Sequence, residues 1–164
     1  MKKTLVSLVV LVALAGIGLW QFSGSAKAAP DVTFVSLSGQ KITPQDLRGK
    51  VVLVKFWATD CVTCIQQMPD MIKTYDALAP KGFEAIAVAM QYDPPNYVKN
   101  YAETRKLPFP VAIDAQGQIA KAFGDIRLTP TAFLIDKQGH IIKRYLGNYD
   151  KTAFLSTVEK ALAS

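Results

Sequence analysis

The sequence predicts an α/β protein, a mixed central sheet flanked by helices with an antiparallel hairpin at one edge. Three observations predict it. Val51–Trp57 and Phe83–Met90 are apolar on both faces, as central strands covered on each side by helices are. Each is followed by a helical spacing of apolar residues, so strands and helices alternate. Thr131–Ile135 and Ile141–Leu146 are joined by Asp136-Lys137-Gln138-Gly139, which reads as a hairpin turn. At 164 residues, half of them apolar, one domain with a real core is the natural expectation.

The chain opens with a leader. Lys2-Lys3 precedes an apolar stretch from Leu5 to Trp20, and Ser23-Gly24-Ser25-Ala26-Lys27-Ala28 follows. A basic start, an apolar middle and the small-residue pair Ala26-x-Ala28 form an export signal. The stretch is also near the lower limit for a spanning helix, with Trp20 and Phe22 placed for an interface, so cleavage and retention as a membrane anchor both stay open. In either case the domain lies outside the cytoplasm, periplasmic or on the outer face of a bacterial cytoplasmic membrane, where disulfides persist. The chain thus divides into 1–22, signal peptide or anchor and possible tether through residues 5–22; 23–31, a linker; and 32–164, the folded domain.

In the domain, Val32–Leu37 reads as a strand that turns through Ser38-Gly39-Gln40 into Lys41-Ile42-Thr43, an N-terminal hairpin. After the strand Val51–Trp57, apolar residues at Ile65, Met68, Ile72, Tyr75 and Ala79 form a helical stripe, which Pro69 should kink. After Phe83–Met90, Asp93-Pro94-Pro95 opens a helix with Asp93 as cap, carrying Val98, Tyr101 and Ala102 inward. Val111–Ile113 is a short strand and Ile119–Phe123 a short helix. Asp150 caps a last helix with Phe154, Leu155, Val158 and Leu162 on one face.

Composition excludes several functions. Two Cys cannot staple a disulfide-rich miniprotein, and with one His they supply three soft donors where a tetrahedral zinc site needs four. From Ala29 on, 16 basic residues face 13 acidic ones without a basic run, which speaks against nucleic acid.

The chemistry points to Cys61-Val62-Thr63-Cys64, directly after the central strand and at the start of a helix. Unpaired N–H groups and the dipole of a helix N-terminus stabilise a thiolate there, and a second Cys in the first turn is placed to attack a mixed disulfide formed by the first. As an inert staple the pair would do little, because so short a loop removes little unfolded-state entropy.

Gly49-Lys50-Val51-Val52-Leu53-Val54-Lys55-Phe56-Trp57-Ala58-Thr59-Asp60-Cys61-Val62-Thr63-Cys64, followed by Met68-Pro69, resembles the thioredoxin superfamily. Within it the chain is most similar to the TlpA/ResA-like exported thiol–disulfide oxidoreductases, from about Phe34 to Leu162. The likeness includes the extra segment that this class inserts, here between Gln91 and Ile113, and Leu128-Thr129-Pro130-Thr131, the loop that ends in a cis-proline. The resemblance implies a thioredoxin-like fold with a TlpA-type insertion, Cys61 as exposed nucleophile, Cys64 as buried resolving thiol, and Pro130 as the cis-proline. It also implies that Thr129 offers backbone hydrogen bonds to a client chain and that Trp57 supports the site. It implies no cofactor beyond the redox-active cysteine pair. The implied partners are client proteins with disulfides (apocytochromes c or copper-site proteins of respiratory oxidases) and a membrane thiol-transfer protein as electron donor.

Three positions depart from the pattern. Asp60 puts a carboxylate beside the nucleophile, which disfavours the thiolate. Lys55 stands where thioredoxins keep a buried Asp; a cation under the site would act the opposite way, unless its long stem carries it to water. Of the two, Asp60 is expected to have the larger effect. Gln67 replaces a common Glu and reads as an ordinary helix-face residue. His140 follows the hairpin turn, far from the thiols. A rival function uses the same thiols with Met68 and Met71 as soft ligands in a copper(I) chaperone, although helix methionines more often fill a core.

Overall fold

The computed structural model describes residues 27–164. The leader, residues 1–22, lies outside them, as does the first part of the linker. Among the described residues no helix is long and apolar enough to cross a membrane. Twelve short elements follow one another among the described residues. These are β1 (Phe34–Val35), β2 (Lys41–Ile42), β3 (Val51–Trp57), α1 (Val62–Leu78), a 3-10 turn (Ala79–Lys81), β4 (Phe83–Ala89), α2 (Pro95–Thr104), β5 (Val111–Ile113), α3 (Gln118–Ala122), β6 (Thr131–Ile135), β7 (Ile141–Leu146) and α4 (Lys151–Ala163).

The main sheet has the order β5-β4-β3-β6-β7. β3 runs parallel to β4 and β4 to β5, whereas β6 and β7 are antiparallel additions. β3 is central, and all seven of its residues are buried, the outcome its run predicts at the six apolar positions; the seventh is Lys55. Alternation along β3 then builds two cores. Val51, Leu53 and Trp57 face α1 and α4, packing with Cys64, Met68, Met71, Phe154 and Val158. Val52, Val54 and Phe56 face the other way, onto Phe34, Ile42, Phe123 and Phe133. Phe56 meets Phe123 edge-on at 5.4 Å, a favoured aromatic geometry.

Several elements differ from the sequence expectation for local reasons. The first strand keeps only Phe34–Val35; Ser36 N–H still donates to Gln40 O at 2.9 Å across the hairpin, but its bridge partner is Ala112 of β5. The α1 stripe is buried at Cys64, Met68, Met71, Thr74 and Leu78, with Ile65, Ile72 and Tyr75 packed beside it. Thr74 sits inside because its hydroxyl donates to the Asp70 carbonyl at 2.8 Å. α1 crosses Pro69 as a single 17-residue helix, with the proline on its exposed side. Asp150 caps α4 as expected, accepting the Ala153 N–H at 2.6 Å.

This architecture gives the molecule two poles. β6 begins opposite Phe56, so the loop before β6 lies beside the turn from β3 into α1. The start of β7 lies at the other pole, and the described end of the linker is tied there. Ala28 bridges His140, Ala29 N–H donates to Gly139 O at 2.9 Å, and Ile141 N–H donates to Lys27 O at 2.8 Å.

Candidate functional site

β3 ends at Trp57, and the turn through Ala58, Thr59 and Asp60 delivers Cys61 to the N-cap of α1 with extended backbone (φ −84°, ψ 98°). Its Sγ accepts the Cys64 N–H at 3.2 Å, the place where a helix start offers unpaired donors. Cys61 and Cys64 are joined as a disulfide with Cα atoms 5.2 Å apart. The two sulfurs are inequivalent: Cys64 is fully buried against Met68, whereas Cys61 is only half-buried. One sulfur is open to another molecule, and the other is open only to its partner.

Beneath this turn lies Lys55, 0% exposed, on the same face of β3 as Leu53 and Trp57. It does not reach water. Its Nζ donates to Gln67 Oε1 at 2.7 Å, and Gln67 Nε2 donates to Gly147 O and Asn148 Oδ1, both at 3.2 Å. Gly147 N–H in turn donates to Pro130 O at 2.9 Å. Its φ of +69° suits glycine, so the chain leaving β7 can make both contacts. Gln67 is therefore no ordinary helix-face residue, because its amide joins β3, α1 and the loop after β7. An ammonium has three donors, and burial here penalises the charged form, pushing the Lys55 pKa down to about 8. Nearby, burial pushes Tyr149 up to about 12.

The other predicted positions surround the thiols in different ways. Trp57 is fully buried, its ring 5.3 Å from that of Tyr101 on α2, so it underlies the site and is not part of its surface. Asp60 is exposed on the rim. The Thr129–Pro130 peptide is cis, and Thr131 Oγ1 closes that loop by donating to Leu128 O at 2.7 Å. Leu128 in that loop and Val62 at the start of α1 are exposed apolar side chains. Met68 and Met71 are buried in the core, and among the described residues no cluster of His, Cys, Asp or Glu has the makings of a metal site. His140 lies at the opposite pole, with Nδ1 3.5 Å from Asp136.

One residue changes role altogether. Asp93 does not cap α2; Pro94 occupies the N-cap position. Asp93 is 4% exposed, and its carboxylate accepts the Thr59 N–H at 2.7 Å and the Thr59 hydroxyl at 2.5 Å. The signal was present in Asp93-Pro94-Pro95: a capping oxygen seeks N–H groups two or three residues on, and proline has removed one of them.

Comparison with known proteins agrees with this geometry. The Redoxin family model matches residues 24–162. The thiol-disulfide oxidoreductase ResA of Bacillus thuringiensis subsp. konkukian is 42% identical over 125 residues, 76% of this chain and 71% of that protein. A putative thioredoxin from Neisseria meningitidis superposes with a TM-score of 0.80 at 36% identity, over 85% of this chain and 93% of that one. A thiol:disulfide interchange protein of the thioredoxin family from Chlorobium tepidum gives 0.77 at 30% identity, over 85% and 99%.

Proposed function

The chain belongs to the Redoxin family and, as a ResA-like member of the thioredoxin superfamily, is a thiol–disulfide oxidoreductase; from that premise we propose that it reduces disulfides in client proteins outside the cytoplasm. The observation that carries the reading is the inequivalent sulfur pair at the start of α1, Cys61 reachable and Cys64 buried.

The Cys61 thiolate attacks one sulfur of a client disulfide, and the other client sulfur leaves as a thiolate that takes a proton. Cys64 then gives up its proton, and its sulfur attacks Cys61 Sγ. That step expels the second client thiolate, closes the Cys61–Cys64 disulfide and leaves two electrons on the client. Thr129 supports the client backbone beside the thiols in the manner of an added strand. The Asp60 carboxylate disfavours the thiolate, which favours donating electrons over accepting them. Export rests on the leader pattern of residues 2–28. By the resemblance, the clients are apocytochromes c or copper-site proteins of respiratory oxidases, and a membrane thiol-transfer protein restores the dithiol.

Trapping tests the assignment. Cys64→Ser is expected to accumulate mixed disulfides with clients and Cys61→Ser none, so capture through Cys64 would reverse the roles. Insulin reduction measured alongside bound copper separates this reading from a copper(I) chaperone; stoichiometric copper without insulin reduction would replace it.

A further inference from the structure

The loop between β4 and α2 touches both halves of the site with two consecutive residues. Asp93 points inward and holds Thr59 by its N–H and its hydroxyl, two positions before the nucleophile and next to Ala58, whose carbonyl accepts the Cys61 N–H at 3.2 Å. Tyr92 points outward, half-exposed, with its hydroxyl 3.4 Å from Thr129 Oγ1, next to the cis-proline. Neither residue belongs to the two motifs that define the site. We propose that Tyr92 and Asp93 act as one device on these motifs, Asp93 as a positioning residue for Cys61 and Tyr92 as a specificity residue for the client chain. The proposal rests on the oxidoreductase reading above.

The physical case differs for the two residues. The Asp93 carboxylate is buried and spends both oxygens on one residue, and charge-assisted bonds of this kind are stronger than neutral ones. Thr59 is thereby held against the loop that follows β4, which fixes the turn that aims Cys61 at Cys64. Closing the disulfide is an intramolecular attack, so its rate depends steeply on that aim. The hydroxyl of Tyr92 makes only a long contact, but its ring stands with Val62 and Leu128 as exposed apolar side chains around the thiols. Such a rim fits an extended polypeptide segment that presents apolar side chains next to its disulfide.

The reduced protein with dithionitrobenzoate, an aromatic disulfide, tests the first half. Cys61 releases one thionitrobenzoate on forming the mixed disulfide, and Cys64 releases the second on closing the ring. In Asp93→Asn the second release is expected to slow about ten-fold relative to the first. Thr59→Val should show the same change to a smaller degree, and Thr59→Ser should restore the wild-type ratio. An unchanged ratio of the two rates in both Asp93→Asn and Thr59→Val would overturn the positioning role. Steady-state insulin reduction tests the second half. Tyr92→Ala is expected to raise KM about five-fold and move kcat less, with Tyr92→Phe close to wild type. A KM within about two-fold of wild type in Tyr92→Ala would overturn the specificity role. If wild-type protein released no thionitrobenzoate at all, the oxidoreductase reading itself would fail, a result distinct from either of these.

Discussion

Two charges flank the thiols, Lys55 below and Asp60 on the rim, and they sit in different solvents. Asp60 adjoins Cys61 in sequence but is exposed, so water and salt screen its carboxylate. Lys55 is six residues away in sequence, yet it is wholly buried with a single neutral acceptor, Gln67. Burial strengthens every electrostatic effect of a charge and raises the cost of holding it there. The position remote in sequence is therefore expected to have the greater effect, the reverse of the order that adjacency implies.

The largest effect should be on stability. Lys55 falls from 10.5 to about 8 on folding, so below pH 8 the folded protein carries the full penalty of a buried ammonium. Between about pH 8 and 10.5 the unfolded chain binds more protons than the native one, and the penalty fades as pH rises. The penalty is about 3 kcal/mol; losing the bond to Gln67 costs about 1 kcal/mol. Lys55→Met should therefore be about 2 kcal/mol more stable than wild type at pH 7, with most of that advantage gone at pH 10. Urea unfolding of the oxidised protein at the two pH values checks this, and an advantage that grew with pH would contradict it.

Gln67→Ala attacks the same region from the other side. It strips Lys55 of its acceptor and leaves Gly147 O without the amide donor, so a loss of about 1–2 kcal/mol is expected at pH 7. In Lys55→Met the same substitution should cost less, because no buried ammonium is left to orphan. A double-mutant cycle measures that coupling.

In the reduced protein the two charges can be compared on one scale, the pH midpoint of thiolate absorbance. Removing the buried cation in Lys55→Met should raise the midpoint by about one pH unit. Asp60→Asn should lower it by only a few tenths, and that shift should vanish at about 1 M salt. A larger shift from Asp60→Asn than from Lys55→Met would restore the order that sequence adjacency implies.

Much of this protein is legible without coordinates. Hydrophobic period and turn chemistry placed β3, β4, β5, β6 and β7 within a residue, because these features are local: a strand covered on both faces is apolar at nearly every position, and turn residues bound the half-exposed edge strand β7. The cysteine pair was legible for the same reason, since a helix start directly after a strand is written in adjacent residues. What only the tertiary structure decided are the partners of polar side chains. Lys55 reads locally as a cation either under the site or carried to water by its stem, Gln67 as a helix-face amide and Asp93 as a helix cap. Each instead bonds a group brought to it by packing: Gln67 on α1, Gly147 after β7, Thr59 before Cys61. A buried polar group must find a partner wherever the fold supplies one, and that partner's position in the chain is set by how helices lie on the sheet, which no local pattern records.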